Sequence, residues 1–235
     1  MADGVQMEES SKRIDVYLEV GSKKVFAGSL DWPGWCRPGR DEDSALQALF
    51  EYGRRYAQVL EGTGLGFNPP EDSSQFTVVE RLTGNTSTDF GAPDIAPSSD
   101  SAPFDAAVLQ KSQVLLQAYW QAFDSTVQGA SGKELRKGPR GGGRDLEGVV
   151  WHVLGAEAGY LARLARRHKV NQDAPYAEEL DRIRPTILDA LASAQRGELP
   201  ESGPRGGVIW KPRYFVRRLA WHILDHTWEI EDRIL

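Results

Sequence analysis

A single cysteine, Cys36, occurs among 235 residues, so no intramolecular disulfide can form and packing must hold the fold together. No run of about 18 apolar residues is present, which argues against a membrane-spanning helix. The opening MADGVQMEESSKR lacks the basic start and apolar stretch of a secretory signal. Together these absences lead one to expect a cytoplasmic protein with no membrane partner. An excess of positive charge is missing as well. Residues 1–100 carry 9 Lys+Arg against 17 Asp+Glu, and residues 101–235 carry 19 against 17, for a net charge of −6 over the chain. Neither half is basic enough to form a nucleic-acid surface by charge alone. The glycines of GPRGGGR are not followed by Lys-Ser/Thr, so no phosphate-binding loop is read there. Histidine is scarce too, with four in the chain.

What is present divides the chain in two. Residues 1–12 read as a disordered tail. In Ile14–Val20, Ile14, Val16, Leu18 and Val20 alternate onto one face, predicting a strand. Gly21-Ser22 supplies a turn, and Lys24–Leu30 returns as a second strand. Pro33, Gly34, Pro38 and Gly39 make the next stretch irregular. A helix is predicted from about Asp43 to Leu60, capped by Asp41 or Asp43, and Phe76–Leu82 reads as a third strand. Residues 83–102, rich in Gly, Pro, Ser, Thr and Asp, have linker composition. Beyond them the pattern is helical, with segments at about 103–128, 145–168, 175–195 and 212–233. The expectation is an α+β domain of β-β-α-β order over residues 13–82, a linker, and an all-α up-and-down four-helix bundle over 103–235.

Two of the four histidines, His222 and His226, stand four residues apart in WHILDHTWEIEDR. That spacing stacks them on one helix face, where two imidazoles can share a metal ion. A third ligand must come from elsewhere, and His152 in DLEGVVWHVLGAEAGYLARLARR is the best supplier. At about 100° per residue, His222 and His226 flank the apolar stripe of their helix, and His152 flanks its own stripe at a similar offset. Three histidines leave coordination positions open, which suits catalysis better than structure. His168, at the predicted end of its helix among Arg166, Arg167 and Lys169, favours the helix C-terminus instead.

Residues 103–235 resemble the DinB/YfiT-like superfamily, which includes relatives of mycothiol-dependent maleylpyruvate isomerase. The resemblance rests on GGGRDLEGVVWHV around His152, on the HxxxH of LAWHILDHTWEIEDR, and on helix number and order. It implies a divalent metal, zinc or nickel, held by His152, His222 and His226, with mycothiol or bacillithiol as co-substrate. The activity implied is S-transfer or isomerisation through a metal-bound thiolate, while hydrolysis by metal-activated water stays open. The segment VYLEVGSKKVFAGSLDWPGWCRPGRDEDSALQALFEYGRRY resembles the HicB-like antitoxin fold. Here a helical bundle replaces the DNA-binding module such antitoxins append, so no repressor role is carried over. The alternative is a non-catalytic module of stress response that binds metal or a partner, with the HicB-like part as its interaction surface.

Other residues could assist. Glu157 could accept an N–H from a ligating histidine or act as general base; its other reading is a buried carboxylate paired with an arginine. Glu229 could support His226 from outside the metal shell or form a solvated ion pair, and Asp225 reads as an exposed charge. Arg140 and Arg144, flanking the glycines before the second long helix, could bind an anionic substrate or cofactor group, as could Arg213, Arg217 and Arg218. Surface charge is the other reading for all five. Cys36 has Arg37 and Arg40 near it, which could lower its thiol pKa, but no histidine close in sequence. Trp221 and Trp228 fall opposite the core stripe, where they suit packing on the N-terminal domain or a homodimer face.

Overall fold

The computed structural model describes residues 13–137, 143–203 and 206–235. The expected tail at residues 1–12 lies outside the described residues. An α+β architecture is observed: a four-stranded mixed sheet in the first part of the chain and four long helices in the second.

The alternation at the start forms β1 (Ile14–Val20), which pairs antiparallel with β2 (Val25–Ser29) through the turn at Gly21–Lys24. A third strand, β3 (Cys36–Gly39), lies beside β2 where the sequence predicts irregular chain. Proline and glycine mask it: Pro38 lacks an N–H, but at the sheet edge one side of the strand needs no ladder bond. The predicted helix is split into α1 (Glu42–Glu51) and α2 (Gly53–Val59), joined at Tyr52. Asp41 caps α1, its carboxylate accepting from the Ser44 N–H at 2.8 Å while the Ser44 hydroxyl accepts from the Asp41 N–H. The chain then returns as β4 (Phe76–Thr83), parallel to β1, giving the order β3-β2-β1-β4.

Residues 83–102 are built into the fold. They contain the short helix α3 (Thr86–Phe90), capped by Asn85, and a 3-10 turn at Ser98–Ser101. Their main-chain N–H groups at Asp94 and Ile95 donate to the buried Glu19 carboxylate, as does the Thr88 hydroxyl at 2.5 Å. Alternation accounts for one face of β1 only. Val16 and Leu18 face one core as expected, but Tyr17 and Glu19 are buried on the opposite face as well. Burial raises the Glu19 pKa, while those three donors oppose the rise.

The long helices are α4 (Ala106–Ala130), α5 (Leu146–Leu161), α6 (Tyr176–Gln195) and α7 (Pro212–Arg233). Asp105 and Asp145 cap α4 and α5, and Pro212 occupies the first turn of α7. The predicted reach of the second helix to His168 is corrected: a 3-10 turn and Ala165, with φ of 55°, end it near Leu164. His168 folds back to the buried Glu179 carboxylate at 3.1 Å, which also accepts from the Asn171 N–H. A helix-terminal role for His168 is thereby replaced by a hydrogen bond to Glu179.

Sheet and helices share one continuous apolar core, running from Val16, Leu18 and Trp35 to Leu115, Val153 and Ile223. Trp35 is its hinge, stacked on Tyr56 and donating its indole N–H to the Leu49 carbonyl at 2.8 Å. Tyr56 and Tyr119 both donate to the Pro33 carbonyl, at 3.1 and 2.6 Å, tying α2 and α4 to the Trp32–Trp35 loop. On the other face of the sheet, Trp221 of α7 meets Phe26 edge-on, whereas Trp228 joins the main core and meets Tyr52. Both indoles pack on the N-terminal part, as their helical angle suggests.

Gly34 lets this loop touch α7. Its φ is +95°, and an added Cβ would stand 2.9 Å from Leu224 Cδ1 and 3.2 Å from the Ala220 Cβ. Gly34→Ala is therefore expected to lower stability by at least about 1 kcal/mol, read as a reduced urea midpoint with an unchanged slope.

Candidate metal centre

α5 packs against α7, and this crossing brings the three sequence-predicted histidines together. Each offers a ring nitrogen, and these atoms lie within 4.8 Å of one another. His152 Nε2 and His222 Nε2 are 3.2 Å apart. Ring centroids are 5.0 Å apart for His152 and His222, 4.8 Å for His152 and His226, and 4.5 Å for His222 and His226. Two nitrogens sharing a tetrahedral ion at about 2.0–2.1 Å would be about 3.3 Å apart, so the observed pair suits such an ion.

Two of the donors, His152 and His222, have pKa values lowered towards the neutral form. Burial, reinforced by His226 and Arg144 and opposed by Glu229, depresses the His152 pKa to about 4. Burial and the neighbouring histidines push His222 well below its ordinary value. Neutral imidazole is the metal-binding form. Among the described residues His222 Nδ1 is buried with no hydrogen-bond partner, so they leave one polar atom of the ring unused. His226 is oriented differently: its Nδ1 donates to Glu229 Oε2 at 2.7 Å, leaving Nε2 for the cluster. Such a carboxylate–imidazole contact fixes ring orientation and raises ligand basicity. The contact with His226 holds Glu229 below the ordinary carboxylate pKa, and Arg233 adds to this through a 2.5 Å bond to Oε1. Glu229 thus supports His226 and bonds Arg233 at once.

Sequence reasoning misses Arg233, although its i+4 spacing from Glu229 is a usable signal. It also donates to the carbonyls of Arg136 and Arg144, at 2.9 and 2.6 Å, which ties the approach to α5 to the end of α7. Arg144, expected to attract anions, is exposed there, and its charge reaches both His152 and His222. Arg140, its expected companion, lies outside the described residues. Tyr160 forms a wall of the site, its ring edge-on to His222 at 5.8 Å and tilted on Trp210 at 5.3 Å. Its position eight residues after His152, two turns along the same face, makes it legible; Trp210 carries no such signal.

Four expectations are corrected. Glu157 is fully buried away from the histidines: Oε1 accepts from the Trp120 N–H at 2.8 Å, and Oε2 has no partner among the described residues. Its place on α5 turns it towards α4, so a contact with a ligating histidine is not formed. Arg217 is not surface charge but a buried side chain paired with Asp100. Asp225 is not a free charge, because Arg37 of β3 donates to it at 2.9 Å. Cys36 is buried in β3 rather than presented by a loop, and burial pushes its thiol pKa up to about 12, against the lowering expected from the neighbouring arginines.

Comparisons of the chain with protein-family models, with curated proteins and with solved structures find no match. Among the described residues, no helix is long and apolar enough to cross a membrane.

Proposed function

We propose that the protein uses His152, His222 and His226 to hold a divalent ion, zinc or nickel, for chemistry on a low-molecular-weight thiol or on water. The observation that carries this reading is the convergence of three ring nitrogens from two helices within 4.8 Å of one another. A divalent ion bound there would lower the pKa of a coordinated thiol or water and so supply a nucleophile at neutral pH. The chain's own residues prepare the site. Burial keeps His152 and His222 unprotonated, and Glu229 aims His226 while Arg233 fixes Glu229. Arg144 adds positive potential, which favours an anionic thiol or substrate group. Tyr160 and Trp210 give the site an aromatic wall suited to an organic substrate. The reading takes residues 103–235 as DinB-like, with mycothiol or bacillithiol as co-substrate, and residues 13–82 as HicB-like in architecture.

Elemental analysis of protein purified without a histidine tag tests it. About one zinc or nickel per chain is expected, and it should be lost from the His222→Ala/His226→Ala variant while the helical circular dichroism is retained. Glu229→Gln should weaken metal affinity by about 10–100-fold. Wild-type protein that takes up neither ion on incubation would overturn the proposal. Titrating the cobalt-substituted protein with mycothiol then separates thiol use from water activation, because a bound thiolate adds a charge-transfer band.

A further inference from the structure

A second site lies at the seam between the sheet and the helices. A cavity of about 180 Å³ opens there, with Leu30 and Pro33 on one side and Val108, Leu115 and Val216 on the other. Lys111 and Arg213 both line it. Each is held by a main-chain carbonyl rather than by a carboxylate. Lys111 Nζ donates to the Asp31 carbonyl at 2.9 Å and sits 4.3 Å from the centre of the Trp32 ring. Arg213 Nε and Nη2 donate to the Pro103 carbonyl at 3.0 and 2.8 Å. Among the described residues, neither cation forms an ion pair within 4 Å.

The remaining charges at the cavity do not neutralise this pair. Arg217 and Asp100 satisfy each other through two bonds of 2.8 Å. The Asp31 side chain is exposed and is the one other carboxylate on the lining, leaving one positive charge in excess. Burial is the main influence depressing the Lys111 amine; Asp31 opposes it and Arg213's charge adds to it, so the two cations sense each other across the space. Holding two such groups partly buried, beside a cavity lined by Val108, Leu115 and Val216 as well as by polar side chains, costs solvation energy that an anion would recover. An apolar cavity of about 150 Å³ in another protein holds benzene, so this one has room for a body of about six carbons.

We infer that this cavity binds a small organic monoanion, a monocarboxylate with an apolar body of about six carbons, its carboxylate between Lys111 and Arg213 and its body against Val108, Leu115 and Val216. The site is separate from the histidine cluster: on α7, Arg213 and Val216 face the seam, whereas His222 and His226 face α5.

Calorimetric titration of the full chain with benzoate and hexanoate tests the assignment, with benzyl alcohol as the neutral counterpart. Both carboxylates are expected to bind, and benzyl alcohol at least about tenfold more weakly. Lys111→Met and Arg213→Gln should each weaken benzoate about tenfold, with Lys111→Arg restoring most of it. Val108→Trp, which fills the cavity and leaves the charges in place, should abolish binding. The His222→Ala/His226→Ala variant should bind benzoate unchanged. Binding lost in that histidine variant but kept in Lys111→Met and Val108→Trp would place the carboxylate at the histidines and overturn the inference. So would equal binding of benzyl alcohol, or no heat with either carboxylate at about 10 mM.

Discussion

Replacing Arg217 with methionine is expected to destabilise the folded chain by about 3–5 kcal/mol. Arg217 is 6% exposed, and all its guanidinium nitrogens are used. Nε and Nη2 bind the two oxygens of Asp100, Nη1 donates to the Ser29 carbonyl at 2.7 Å, and Nη2 donates also to the Leu30 carbonyl at 3.0 Å. Burial disfavours the charged guanidinium, but Asp100, with Tyr17 and Cys36 adding to it, holds the arginine pKa above its ordinary value. Methionine keeps the volume and leaves a 3%-exposed carboxylate and two carbonyls without donors. In a chain of this size the melting temperature should fall by roughly 6–20 °C. Asp100→Asn should cost less, because Arg217 keeps its carbonyl partners and gains a neutral acceptor. The double variant Arg217→Met/Asp100→Leu should be less destabilised than the sum of Arg217→Met and Asp100→Leu alone, since no buried charge is left unpaired. Additive losses in a double-mutant cycle would show that the pair contributes nothing specific. The same cycle reports on residues 83–102, which Asp100 fastens to α7.

A pH-dependent loss of stability is the second large effect, and Glu157→Gln should remove it. Burial raises the Glu157 pKa to about 7, with Arg184 and the Trp120 N–H opposing the rise and Asp124 adding to it. Arg184 cannot rescue the carboxylate fully, because it is committed to both oxygens of Asp124 at 2.6 and 2.7 Å. The folded protein therefore keeps a proton that the unfolded chain, with an ordinary carboxylate pKa near about 4.3, has released. The contribution of protonated Glu157 is complete below about pH 4.3 and is lost as pH rises towards 7 and beyond. Over that window the loss reaches about 3–4 kcal/mol, at about 1.4 kcal/mol for each pH unit between the unfolded and folded pKa values. Glutamine still accepts from Trp120, supplies an amide N–H where Oε2 had no partner, and does not titrate. Urea unfolding at about pH 4.5 and about pH 8.5 should give a variant more stable than wild type at the higher pH and close to it at the lower. An identical pH slope in both proteins would mean that Glu157 ionises without penalty. Metal content should not change, because Glu157 does not meet the histidines.

The parts of this fold that were legible are those whose physics is local. The alternation of Ile14, Val16, Leu18 and Val20 names β1, and Gly21-Ser22 names its turn, because a pleated strand repeats every two residues. Four long amphipathic segments announce α4 to α7 in the same way. β3 was not legible, since Cys36–Gly39 is a strand only because β2 offers it a ladder. The inward turn of Tyr17 and Glu19 was hidden too. A strand covered on both faces looks half exposed when one face carries a carboxylate, and only the donors at Thr88, Asp94 and Ile95 make that burial tolerable. Arg217 and Arg218 are adjacent in sequence and look alike, yet one is buried against Asp100 and the other lies over Trp221 and Tyr160.

The histidine site divides along the same line. His222 and His226 share a face because the α-helical repeat puts them there, and their spacing alone says so. Glu229 and Arg233 continue that repeat, so the support of His226 was written one turn further on. His152 is different. Seventy residues of chain separate it from His222, and only the packing of α5 on α7 brings their nitrogens to 3.2 Å. The cavity between Lys111 and Arg213 depends on tertiary structure in the same sense, since its walls come from separate parts of the chain. Periodicity settles which residues share a face; which faces meet, and which charges they bury together, is settled by the packing of whole elements against one another.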